Sequence, residues 1–223
     1  MTHDLLTAVA TAKSALANLP LEWDGKASIL EMKEADFQWK QMEWWGFYFE
    51  LLCFRRLQKL FEVPGDRIGT VTFDAKLACN WDLKAKAIKS DDHRCILNDK
   101  TAMETSIERN GVHGVILGLC DVEYNDINRT FQQWHSELKG GLSKYEKDRI
   151  GRTAVSRYRK TKAQLSEILF LRIDKSNLEL LETMRQGRNS NGAARPEKYM
   201  LNLDKLESFL VDRLVFQQCS EAV

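Results

Sequence analysis

The residues best suited to chemistry lie close together in FDAKLACNWDLK, which carries Asp74, Asp82 and Lys84. Positions 75–81, seven residues, separate the two aspartates. Val71, Phe73, Ala75 and Leu77 alternate with Thr72, Asp74 and Lys76, and Trp81, Leu83, Ala85 and Ala87 alternate with Asp82, Lys84 and Lys86. This period-2 pattern on both sides of a polar break at Cys79-Asn80 predicts two antiparallel strands in a hairpin. Residues i and i+2 of a strand share a face, so Asp82 and Lys84 project together. A tight turn near Cys79 places Asp74 opposite or diagonal to Asp82 on that face. Phe73, Trp81 and Leu83 then pack on the other side. Two carboxylates so close repel, and burying them is costly unless a cation bridges them. Oxygen ligands alone favour a hard divalent ion such as Mg²⁺. A lysine beside that ion can position or deprotonate a water, or neutralise charge developing on a phosphate. Metal, water and ammonium together suit in-line hydrolysis of a phosphodiester.

These side chains need a scaffold, and the rest of the pattern supplies one. Leu5, Leu6, Val9, Ala12 and Leu16 recur at helical spacing over residues 3–17, before Pro20. From Ile29 to Phe61 runs the longest helical pattern, stopped by Pro64-Gly65, with Gly46 as a close-packing point or kink. Its aromatic residues (Trp39, Trp44, Trp45, Phe47, Tyr48, Phe49) read as core rather than as a stacking platform. After the hairpin come a polar connection (SDDHRC) and a short helix over about 99–109, capped by Asn98 or Asp99. GVILGLC, residues 114–120, reads as a fully buried strand. Residues 168–173 read as a strand, 178–184 as a short helix, 186–196 as a loop and 204–214 as a closing helix. No internal repeat or clear linker divides the chain.

An aspartate, a short spacer and Asp-x-Lys on a hairpin, with an acid-bearing helix before and a helix and buried strand after, resembles the PD-(D/E)xK nuclease superfamily, most nearly its type II restriction endonucleases. The resemblance spans about Glu43 to Cys120. It implies an α/β restriction-endonuclease-like core, a central mixed β-sheet flanked by helices. It matches Asp74 to the first acid, with Phe73 in place of the motif's proline, Asp82 to the second acid and Lys84 to the motif lysine. It further implies Asp74, Asp82 and the Leu83 carbonyl as Mg²⁺ ligands, with Lys84 orienting or activating the attacking water. Glu50, within WWGFYFELL, is the candidate for the helix-borne acid that completes the metal shell or holds Lys84, and Glu43 is the second choice.

The remaining segments fit a polyanionic partner. Residues 137–162 hold nine Lys/Arg (Lys139, Lys144, Lys147, Arg149, Arg152, Arg157, Arg159, Lys160, Lys162) against three acids. Lys and Arg neutralise phosphates. Arg grips the guanine edge and Asn the adenine edge in a groove. Expected DNA contacts are Lys86, Arg152, Arg157, Arg159, Lys160, Arg188, Asn189, Asn191 and Arg195. Asp121, Glu123 and Asp126 follow the buried strand and read as capping or turn residues more readily than as metal ligands. None of the histidines (His3, His93, His113, His135) has zinc-ligand spacing to a cysteine pair, so each reads as structural. Walker A, GxGxxG and GxSxG motifs are absent.

Composition sets outer bounds. The chain has 223 residues, 43% hydrophobic and 29% charged, with 33 basic against 32 acidic side chains. It is long enough for one sizeable core. No apolar run approaches the ~20 residues that span a bilayer, and the N-terminus lacks the basic start of a signal peptide. Five scattered cysteines without a CxxC pair read as buried thiols in a reducing, cytoplasmic compartment. The expectation is therefore a single domain over 1–223: a helical part (1–65), a catalytic core (66–122) and a basic DNA-contacting part (137–200). Its expected activity is that of a Mg²⁺-dependent double-stranded DNA endonuclease, a type II restriction enzyme acting as a homodimer on a short palindrome. The alternatives are a structure-selective repair or recombination nuclease and a non-catalytic DNA-binding protein. An RNA-directed nuclease is disfavoured for want of an aromatic RNA-binding platform.

Overall fold

A computed structural model describes residues 4–64, 73–88, 92–142, 147, 159–187, 192 and 194–216. It is a mixed α/β structure with a central mixed sheet flanked by helices. Helix α1 (Leu5–Leu16) begins where Asp4 accepts a hydrogen bond from the Thr7 N–H, and it buries Ala8, Val9, Ala12 and Leu16. Strand β1 (Glu22–Asp24) leads into α2 (Gly25–Glu34), capped by Asp24.

The single helix expected over 29–61 is two helices, α2 and α3 (Trp44–Leu57). Asp36 and Gln38 adopt positive φ (50° and 43°) between them, which stops helix propagation. Strand β2 (Ala75–Leu77) and β3 (Cys79–Ala87) form the expected antiparallel hairpin. The first strand is shorter than the alternation implied, and Val71 and Thr72 lie outside the described residues. Ala78 turns the chain at φ 64°, and the Trp81 indole N–H donates to the Leu77 carbonyl at 3.0 Å, closing the turn.

The expected polar connection over 90–95 holds at Asp92 and His93 and gives way at Arg94 to β4 (Arg94–Asp99), while Ser90 and Asp91 lie outside the described residues. Helix α4 (Lys100–Asn110) ends at Gly111, whose φ of 77° suits a left-handed C-terminal position. It crosses to β5 (His113–Glu123), which lies parallel to β3. Helix α5 (Thr130–Leu138) follows, then β6 (Lys162–Ile173), antiparallel to β5. The helix expected over 178–184 is a single 3₁₀ turn (Leu178–Leu180) and β7 (Glu182–Met184). Strand β8 (Lys198–Asn202) precedes another 3₁₀ segment and β9 (Leu210–Val215), where a closing helix was expected. Val211 and Leu214 pack on the larger core and Leu210 on the smaller one, so the segment satisfies both faces as an extended strand better than as a one-sided helix.

The main sheet runs β1-β6-β5-β3-β2, with β9 also on β6, and β4-β8-β7 form a small second sheet. Alternation splits the main sheet into two faces. Trp81, Leu83, Ile116, Phe170 and Leu165 enter a large core with α1, α2, α3 and α5. Val115, Leu117, Leu169 and Leu171 enter a smaller core with α4 and the second sheet. Gly114 and Gly118 admit aromatic rings onto β5: an added Cβ would lie 2.3 Å from the Trp81 ring and 2.8 Å from the Phe49 ring. The clustered aromatics of α3 are core as expected, with Trp44, Trp45, Tyr48 and Phe49 all buried.

Candidate active site

The hairpin register pairs Ala75 with Trp81, and the Asp74 N–H donates to the Trp81 carbonyl at 2.9 Å. One step further along, Asp74 comes to lie across from Asp82. Strand β2 has ended there, so the Asp74 side chain continues the ladder in its place: its Oδ2 accepts the Leu83 N–H at 2.7 Å. The Lys84 Nζ lies 3.5 Å from the same oxygen and donates to the Leu83 carbonyl at 3.1 Å. Asp74, Lys84 and the Leu83 carbonyl thus meet at one point.

Asp82 shares the Lys84 face of β3 but is far more enclosed, at 1% exposure. Its Oδ1 accepts from Asn98 Nδ2 at 2.9 Å, and its Oδ2 contacts His113 Nε2 at 3.1 Å. Asn98 comes from β4. His113 opens β5, opposite Asn80 in the parallel register.

The electrostatics follow from this enclosure. Burial pushes the Asp82 carboxyl up, but the Lys84 ammonium and the bonds from His113 and Asn98 overcome it and hold the group below the usual carboxylate range. Burial also acts on Asp74; Lys84 opposes it and the Asp82 charge adds to it, leaving Asp74 raised. Burial pulls Lys84 down, yet Asp82, Asp74 and Glu50 together raise it well above a free lysine. Lys84 is therefore an ammonium here, suited to holding charge and orienting a water. Glu50, on α3, contributes through its charge to raising both the Lys84 ammonium and the Cys53 thiol. Glu43 goes elsewhere: it bonds to Trp45 Nε1 and to Lys160 at the start of α3.

The oxygens of Asp74 and Asp82 with the Leu83 carbonyl form a hard donor set of the kind Mg²⁺ takes. Asp74 is half-buried, and the neighbouring Asp82 charge adds to burial in raising its carboxyl; a cation between the two carboxylates would relieve that repulsion. Among the described residues, no group of three or more His, Cys, Asp or Glu side chains is arranged to hold a metal ion. The fit therefore rests on two carboxylates and a backbone carbonyl.

The expected DNA contacts are scattered. Lys86 lies on β3 two residues beyond Lys84. Arg159 is buried, its Nη1 against Met42 Sδ at 2.7 Å. Lys160 pairs with Glu43 and sits over the Trp45 and Tyr124 rings. Arg195 donates its backbone N–H to the Gly187 carbonyl at 3.2 Å. Arg152, Arg157, Arg188, Asn189 and Asn191 lie outside the described residues. Asp126 is a cap, accepting the Phe131 and Gln132 N–H groups of α5. Asp121 and Glu123 line a cleft of about 490 Å³ with Glu22, Asp24 and Lys162.

Two site residues were not expected to act there. The residues alone make His113 structural and offer Asn98 or Asp99 as the cap of α4. The cap position is Asp99, and Asn98 reaches Asp82 instead. His113 precedes a run already recognised as a buried strand, and a titratable residue entering such a run was the one available signal. Among the described residues, no helix is long and apolar enough to cross a membrane. No family model matches the chain, and neither a curated protein nor a solved structure matches it.

Proposed function

We propose that this chain is a Mg²⁺-dependent endonuclease of the PD-(D/E)xK type that hydrolyses double-stranded DNA at a short specific site, as a type II restriction enzyme does. The observation that carries this reading is the meeting of Asp74, Lys84 and the Leu83 carbonyl at the end of β2, with Asp82 on the same face of β3. The order of elements supports it: a hairpin, a crossover through α4 to parallel β5, then antiparallel β6.

In this reading Asp74, Asp82 and the Leu83 carbonyl hold Mg²⁺, which supplies charge stabilisation and a more acidic bound water. Lys84 enters the reaction as an ammonium. It donates a hydrogen bond to the attacking water and neutralises charge growing on the phosphate. Glu50 keeps Lys84 charged and directed toward the cluster. A homodimer would match a palindromic site by symmetry.

The test is cleavage of long unmethylated duplex DNA with Mg²⁺, with EDTA, and with Asp82→Ala and Lys84→Ala. Discrete fragments that need Mg²⁺ and vanish in both variants are the expected result. A smear would point to a nuclease without a defined site. The non-catalytic DNA-binding protein is the second reading, favoured by Asp82 already having a protein partner at each oxygen, Asn98 and His113. It predicts no scission and equal DNA binding by parent and variants.

A further inference from the structure

We propose that His113 and Asn98 are positioning residues for Asp82, holding its carboxylate in one orientation for a divalent cation shared with Asp74. This rests on the metal-site reading above and adds two residues that the motif does not contain.

Asp82 is a costly residue where it stands. It is 1% exposed and lies opposite Val115 on β5, in a core that also holds Leu117 and Leu97. An apolar side chain would fill such a place at no electrostatic cost, and buried charges are often no better for stability than apolar replacements. The fold instead keeps the carboxylate and supplies a dedicated donor to each oxygen, from two different strands.

The donors are themselves fixed. Asn98 Oδ1 accepts the Asp99 N–H at 2.7 Å, which locks the amide and points its Nδ2 at Asp82. His113 is fully buried, and its Nδ1 meets no hydrogen-bond partner among the described residues. With its proton on Nε2 the imidazole donates to Asp82 and leaves no N–H stranded at Nδ1. Leaving one ring nitrogen unpaired in the interior is a poor solution for packing alone, since a leucine there would strand nothing. The histidine makes sense as the donor to Asp82. Each carboxylate oxygen keeps a second lone pair after accepting one hydrogen bond, so both donors are compatible with metal ligation.

The test is Mg²⁺ titration of the full chain by calorimetry, with parent, His113→Leu, His113→Gln and Asn98→Ala, each checked for folding by circular dichroism. Loss of an outer hydrogen-bond partner weakens metal affinity by about 10–100-fold. That loss is expected for His113→Leu and Asn98→Ala, with most of the affinity kept in His113→Gln, whose amide N–H replaces the donor. Equal affinity in parent, His113→Leu and Asn98→Ala would overturn the assignment while leaving the metal site standing. Equal loss in His113→Leu and His113→Gln would also overturn it, because shape rather than donation would then matter. A parent that takes up no Mg²⁺ would overturn the metal reading and this inference together. If His113→Leu does not fold, Asn98→Ala decides, since Asn98 is only partly buried.

Discussion

On one face of β3, Trp81 and Leu83 enter the same apolar cluster as Phe49 and Ile116, and none of the four is more than 2% exposed. On the other face, Asp82 and Lys84 stand opposite Val115 and Leu117, within reach of Asn98, His113 and Asp74. Alternation along one strand thus separates two kinds of order. The first face is held by shape, where neighbouring rings and glycines must fit. The second is held by named pairings, where each polar atom needs a particular partner. Damage to the first face should appear as lost stability, and damage to the second as lost chemistry with the fold kept.

The sharpest test of that division is Asp82→Asn. The amide keeps the size of the side chain and still accepts from Asn98, but it turns an N–H toward His113, so either that contact is lost or the imidazole proton moves to the unpartnered Nδ1. The charge is gone. On the proposed function, cleavage should fall by about 10²–10³-fold, the scale of removing a preorganised charged or polar group. The thermal midpoint should fall by less than about 10 °C, since one stranded polar atom costs about 1–3 kcal/mol and 1 kcal/mol is about 2–4 °C for a chain of this size. A large drop in midpoint would break the comparison, because the polar face would then be carrying the fold.

Trp81→Ala is the opposite case. It removes a fully buried ring from between Gly114 and the larger core, and should cost about 3–5 kcal/mol in denaturant unfolding. Gly114→Ala attacks the same contact from the other side. Its new Cβ would lie 2.3 Å from Trp81 Cε3, and neither backbone nor ring has room to yield freely. Overpacking of this kind costs about 1–3 kcal/mol. The double variant Trp81→Ala/Gly114→Ala should cost less than the sum, since the methyl then enters the space the ring left. Additive costs would show that Gly114 serves something other than the ring.

The same division governs what could be read from the residues alone. Alternation revealed the hairpin, and the i, i+2 rule placed Asp82 with Lys84, because both are local properties of a strand. The buried run of β5 was visible for the same reason. Hidden were the features that only long-range pairing decides. Asn98 looks like a cap because it precedes a helix, and its true partner lies on β3. His113 reaches Asp82 through the parallel register of β5 on β3, which no local pattern announces. The break between α2 and α3 depends on two positive-φ residues, Asp36 and Gln38, inside an otherwise helical pattern. The C-terminal segment over 204–214 reads as a closing helix, yet Leu210–Val215 joins the sheet on β6.

The smallest effect comes from a polar contact on the shape-held side. Glu31 of α2 joins α3 through Tyr48, whose hydroxyl donates at 2.6 Å, and through Arg55. Burial pushes the Glu31 carboxyl up, but those two partners outweigh it and hold the group below its ordinary 4.5. A carboxyl depressed in the folded state adds stability above the unfolded pKa and loses it as pH falls through the folded one. Glu31→Gln should therefore lower the thermal midpoint by about 1–3 °C at pH 7, the scale of a part-exposed charge pair. The gap between parent and variant should close as the pH is taken below 4.5. A gap that does not shrink at all as the pH falls below 4.5 would mean that the contact acts through packing of Tyr48 between α2 and α3, so that shape rather than charge holds that side even at its polar margin.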